Sequence, residues 1–119
     1  MAAYQKKLPT VLNNGLGLFF EVMSGKWKAF ILFYIQSGYR RPGELQRKIP
    51  EADRRVLDNQ LMELVSHGLL SKTSYDTKPP KVEYDITDLG ESLLPLICDM
   101  HQWGENHMQE IEDHKKKSI

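Results

Sequence analysis

The sequence predicts a mainly α-helical domain that carries one small β hairpin, an α+β chain. Three observations lead there. Apolar residues recur at helical spacing from Leu16 to Val65, a short turn at 50–53 separates two helix-like segments, and two strand-like runs flank Pro79 and Pro80. At 119 residues, 1–119 reads as a single domain, long enough to bury a core without metal or disulfide. An apolar share of 40% and a charged share of 27% describe a globular protein rather than a disordered one.

Asn13, Asn14 and Gly15 are start signals for a first helix over 15–23, where Leu16, Phe19, Phe20 and Met23 share a face. Ser24 is placed to cap a second helix, whose Trp27, Phe30, Ile31, Tyr34 and Ile35 form one stripe closed by Ser37 and Gly38. Pro42 in a first turn opens a short third helix that buries Leu45 and Ile49 and stops before Pro50. Asp53 caps a fourth, with Leu57, Leu61, Leu64 and Val65 inward and Gly68 as its stop. Segments 69–75 and 82–87 suit strands, and 76–81 between them reads as a turn with a basic tip. Thr87 or Asp88 then caps a long last helix with Leu89, Leu93, Leu96, Ile97, Met100, Trp103, Met108 and Ile111 on one broad face. Pro95 cannot donate to the carbonyl of Glu91, so a kink or tightened turn is expected there. Residues 1–12 and 113–119 read as flexible tails.

Sixteen Lys plus Arg balance sixteen Asp plus Glu, and this zero sum conceals a sorted distribution. Segment 26–87 holds eleven positive and eight negative charges; 88–114 holds seven negative and none positive. A basic middle is therefore offset by an acidic last helix, and neutrality does not argue against a polyanionic partner. The single cysteine, Cys98, allows no intramolecular disulfide and fits a reducing compartment. No apolar stretch approaches the roughly 20 residues of a membrane span, and the segment 8–20 is too interrupted for a signal sequence. A cytoplasmic protein without membrane contact is the expectation.

Helix, helix, turn, helix and two-stranded hairpin, in that order, make a winged helix-turn-helix. In such a fold the second helix of the pair can lie in the major groove while the wing reaches phosphates. The exposed face of the fourth helix begins with Arg54, Arg55, Asp58 and Asn59. Arg suits guanine and Asn suits adenine, so Arg54, Arg55 and Asn59 are the expected base readers. Arg40 and Arg41 ahead of the third helix, and Lys72, Lys78 and Lys81 on the wing, are placed for phosphates.

The last helix exposes more apolar surface than so small a domain can cover, which points to a homodimer. Leu16, Phe19 and Phe20 with Leu93, Ile97, Met100, Trp103 and Met108 are the expected interface. The resulting expectation is a dimer that binds double-stranded DNA at an inverted repeat; a protein-docking module without DNA binding is the competing class. Trp27, Phe30, Tyr34, Met100 and Trp103 fit either packing or a pocket for an unidentified small-molecule effector. No cofactor is expected. His101, His107 and His114, with Glu105, read as exposed polar positions rather than metal ligands, and no phosphate loop, serine elbow or spaced carboxylate pair suggests an enzyme.

A family resemblance is carried by Ser24, Gly25, Lys26, Trp27 and Lys28; by Arg41 to Leu45 with Glu44; by Leu57 and Leu61 through Gly68, Leu69 and Leu70; by Pro79, Pro80, Lys81, Val82, Glu83 and Tyr84; and by Thr87, Asp88, Leu89 and Gly90. Over about 13–105 the chain resembles the HxlR-type winged helix regulators of bacteria. That resemblance implies a homodimeric DNA-binding transcription factor that pairs through its first and last helices. Many members carry Cys-Pro near the start of the first helix, and in some that thiol senses oxidants. Asn14 and Gly15 stand there in this chain, which excludes sensing through that position. Pro42 replaces the aromatic residue usual after the Arg, which alters a packing contact but fits a first helical turn. Cys98 is expected to be a buried or half-buried, inert thiol.

Overall fold

The computed structural model describes residues 14–118. Asn13 and the tail expected over 1–12 lie outside them. The elements are α1 (Gly15–Met23), α2 (Lys28–Gln36), α3 (Pro42–Lys48), α4 (Arg54–Ser66), β1 (Leu70–Tyr75), β2 (Lys81–Ile86), α5 (Asp88–Glu91) and α6 (Leu94–Lys117). Side-chain oxygens cap three of the helices as their residue types dictate. Asn14 accepts from Gly17 N–H at 2.9 Å, Asp53 from Arg55 N–H at 2.8 Å and Thr87 from Gly90 N–H at 3.0 Å. At α3, Glu44 accepts the N–H of Arg41 at 3.1 Å and Pro42 occupies the first turn.

The core is built where α2, α3, α4 and the wing base meet. Ile31, Leu32, Ile35, Leu45, Ile49, Leu57, Leu61, Leu64, Leu69, Leu70 and Tyr84 are all buried there, joined by Ile97 of α6. β1 and β2 pair antiparallel, with Lys72 opposite Tyr84 and Tyr75 opposite Lys81. Tyr84 N–H also donates to the carbonyl of Arg40 at 2.8 Å, which ties the loop before α3 to the wing.

Four expectations need correction. Ser24 does not start α2; it ends α1, donating its hydroxyl to the carbonyl of Glu21 at 3.3 Å, and α2 begins after Trp27 without a side-chain cap. The last helix is two helices. α5 stops at Glu91 and α6 restarts at Leu94, because Pro95 has no N–H for the Glu91 carbonyl and is tolerated only in a first turn. Residues 113–117, expected in a flexible tail, continue α6, and Lys115, Lys116 and Lys117 lie where cations favour the helix dipole. Finally, α2 faces the core with Lys28, Ile31, Leu32 and Ile35, while Phe30 remains half exposed.

Two sequence elements that carried the family resemblance acquire a packing reason. A Cβ on Gly90 would collide with the carbonyl oxygen of Leu69, so only glycine lets α5 lie against the start of β1. Thr87 completes that joint by donating to the carbonyl of Gly68 at 2.6 Å. Gly25, at φ 137°, sits against the Gln60 amide, 3.0 Å from where a Cβ would stand.

Candidate nucleic-acid interface

α3 and α4 form the helix pair, and the turn between them is braced from within. Gln46 donates to the carbonyl of Ala52 at 2.8 Å and to that of Ile49 at 3.3 Å, while Ala52 is buried. The back of α4 is locked to the α1–α2 junction. Gln60, itself buried, accepts the Trp27 N–H at 3.0 Å; Lys28, fully buried, meets Glu63 at 2.7 Å and approaches the Val22 carbonyl at 3.4 Å. A buried ammonium needs such partners, because losing them leaves an uncompensated charge. Burial, with the Lys28 ammonium nearby, pushes His67 below the ordinary imidazole value. Sequence reasoning missed Lys28, Gln46, Gln60 and Glu63. Lys28 carried no local signal: the face it shares with Ile31, Leu32 and Ile35 is one of several that the unbroken apolar run 29–35 allows.

The front of α4 is free of such locks. Arg54, Arg55, Asp58, Asn59 and Met62 are exposed, and Arg54 makes only a surface pair with Asp58 at 3.1 Å. Arg55 and Asn59 have no side-chain partner among the described residues. The wing base lies beside this face. Tyr84 is raised above the ordinary phenol value by burial first, and also by Asp58 across the gap from α4. Lys72, Lys78 and Lys81 are exposed and unpaired among the described residues.

Arg40 and Arg41 are placed differently. Arg40 donates through Nη2 to Asp85 Oδ2 at 2.8 Å, its Nε stands 2.8 Å from Oδ1 but off the hydrogen-bond direction, and Glu83 lies 3.7 Å away. Arg41 Nε reaches Glu83 Oε2 at 3.3 Å. The Tyr75 hydroxyl beside it, and then Arg41, hold the Glu83 carboxyl below the usual range; the Asp85 bond raises Arg40.

The expected dimer residues divide. Leu16, Phe20, Met100, Trp103 and Met108 are exposed, as are Leu18, Phe33, Leu96 and Ile111. Ile97, 8% exposed, and the half-buried Leu93 instead pack on the chain's own core. Phe19 is half-buried, with its ring 5.8 Å from that of Phe20. Between α2 and α6 runs a cleft of about 500 Å³ lined by Phe30, Phe33, Tyr34, Ile97, Met100 and Cys98, without Trp27 or Trp103. Cys98 is thus exposed, not buried as expected, because it lies one residue off the inward position of Ile97. Among the described residues, no cluster of His, Cys, Asp or Glu is placed to hold a metal ion, and no helix is long and apolar enough to cross a membrane.

A braced helix pair, an open second helix and a flanking two-stranded wing define a winged helix-turn-helix fold. The chain belongs to the HxlR-like helix-turn-helix family, whose model matches residues 22–112. It is 45% identical over 84 residues to the uncharacterized HTH-type transcriptional regulator YkvN of Bacillus subtilis, covering 71% of each chain. Among solved structures, it matches the HTH-type transcriptional regulator ytcD with a TM-score of 0.76 and 35% identity, over 81% of this chain and 98% of that one. The redox regulator HypR in its reduced form matches with a TM-score of 0.75 and 34% identity, over 81% of this chain and 95% of that one. These relatives are regulators rather than enzymes.

Proposed function

We propose that the chain acts in the cytoplasm as a homodimer that binds double-stranded DNA in a sequence-specific way and regulates transcription. The observation that carries this reading is the front of α4: Arg54, Arg55 and Asn59 stand exposed at its N-terminal end, beside a wing with three unpaired lysines. Arg and Asn in that position suit bidentate contacts to base edges in the major groove, and Lys72, Lys78 and Lys81 suit phosphates. Arg41, exposed and held by a single pair, can turn from Glu83 to a phosphate at little cost. An inverted repeat with half-sites about 10 bp or a multiple apart follows from two-fold symmetry.

Regulation on this reading works through helix separation. An effector entering the cleft between α2 and α6 would shift α6, and with it the distance between the two reading helices. The test begins with duplexes selected by the protein from a random-sequence pool. Arg55→Ala should cost about 1 to 3 kcal/mol on the selected duplex and relax one base position, whereas Lys78→Ala should mainly lower the salt slope by about 1. Binding left unchanged by both Arg54→Ala and Arg55→Ala would refute the reading-helix assignment. Affinity that ignored salt would favour a protein-docking module instead.

A further inference from the structure

The wing base carries an assignment that rests on the DNA-binding reading but gives Arg40 a role of its own. We propose that Arg40 is a positioning residue, which clamps β2 to the loop before α3 and so sets the angle between wing and reading helix, instead of contacting a phosphate. The residue grips two consecutive positions of the strand. Its carbonyl takes the Tyr84 N–H at 2.8 Å, and its Nη2 donates to Asp85 Oδ2 at 2.8 Å, while Nε stands as an ion-pair contact 2.8 Å from Oδ1. A planar guanidinium set against both carboxylate oxygens, with one hydrogen bond and one ion-pair contact, restricts direction as well as distance, which a lysine would not do.

The hairpin has need of such a clamp. Among the described residues it is a sheet of two strands, and a two-stranded ribbon twists easily and is barely stable alone. β1 buries only its first residue, Leu70, and β2 only Tyr84, so the outer half of the wing is steered from its base. The charges agree. Glu83 and Asp85 on β2 would repel a polyanion if they stood alone. Arg40, with Arg41 as long as it stays on Glu83, cancels them and leaves the base neutral, so the phosphate contacts fall to Lys72, Lys78 and Lys81 and to Arg41 only when it swings out. A guanidinium already paired to carboxylates gains little from a phosphate, because one ion pair is merely exchanged for another.

Neutral substitutions separate clamp from contact, since R40Q removes a positive charge and D85N a negative one while both break the same pair. Each is compared with the parent on the selected duplex and on poly(dI-dC), with hydrogen exchange of the wing amides and a thermal melt alongside. A clamp lowers the ratio of selected to non-specific affinity about 3- to 10-fold in both variants and speeds wing exchange in both, and the reversed pair R40D/D85R recovers most of the loss. Opposite signs, with R40Q weaker and D85N tighter on both DNAs, would overturn the proposal, as would a reversed pair no better than R40Q. Should the parent select no duplex, the DNA reading fails by itself. Exchange then still decides the clamp: wing amides accelerated alike by R40Q and D85N support it, and unaltered amides sink it.

Discussion

The two sides of α2 face opposite situations. On one side, toward α3 and α4, Ile31, Leu32, Leu57, Leu61 and Leu64 have no exposed surface, and even the charged Lys28 has its partners. On the other, toward α1 and α6, Leu16 is 67% exposed, Phe20 58% and Trp103 59%. The first side is a finished core; the second has the composition of a core without the cover. Stability should therefore reside on the α3–α4 side and association on the α1–α6 side. The largest expected effect tests the first half of that statement. Leu61→Ala should lose about 2 to 5 kcal/mol by leaving a cavity at the centre of the core, read as the midpoint of urea unfolding. A loss under about 1 kcal/mol would show that this side is less tightly packed than its burial indicates.

The second half predicts a smaller and different change. Phe20→Glu combined with Trp103→Glu places charges on the uncovered face, where each residue is more than half exposed in the single chain. A homodimer built on that face should dissociate, seen as halved mass by light scattering, while the isolated chain keeps its helical circular dichroism. A double variant of unchanged mass would move the interface off α1 and α6. Binding to an inverted repeat should fall with the mass, since two linked half-sites bind together more tightly than either alone.

Much of this asymmetry was legible in the sequence, and the exceptions have physical causes. α3 and α4 were readable because proline, aspartate and spaced leucines mark their limits and faces. The phase of α2 was not, because positions 29–35 are apolar without a break and any stripe can be drawn through them. What settles it is Lys28, whose burial depends on Glu63, thirty-five positions away and invisible to local spacing. The α5–α6 break was half legible: Pro95 marked it, but a helical apolar period continues across it. The carboxylates that face Arg40 and Arg41 were not legible, because sequence shows that a charge exists and not what stands beside it. Their carboxylates stand on β2, more than forty residues on.

The finished side also contains the smallest effect expected here. His67 ends α4 with both ring nitrogens withdrawn from solvent, and burial followed by Lys28 lowers its folded-state pKa. The unfolded chain, with an ordinary value near 6.5, then binds the proton more readily than the folded one. Stability from this residue is complete above that pH, declines as pH falls from it toward the lowered folded value, and changes no further below. Glu21 and Glu63 oppose the shift, and solvent reaches part of the ring, so the slope should be shallow. Urea midpoints of the parent should therefore drop modestly between about pH 7.5 and 5, and His67→Gln should flatten that drop. If the variant kept the full slope, the proton would bind elsewhere, and the buried charges behind α4 would be insensitive to this imidazole.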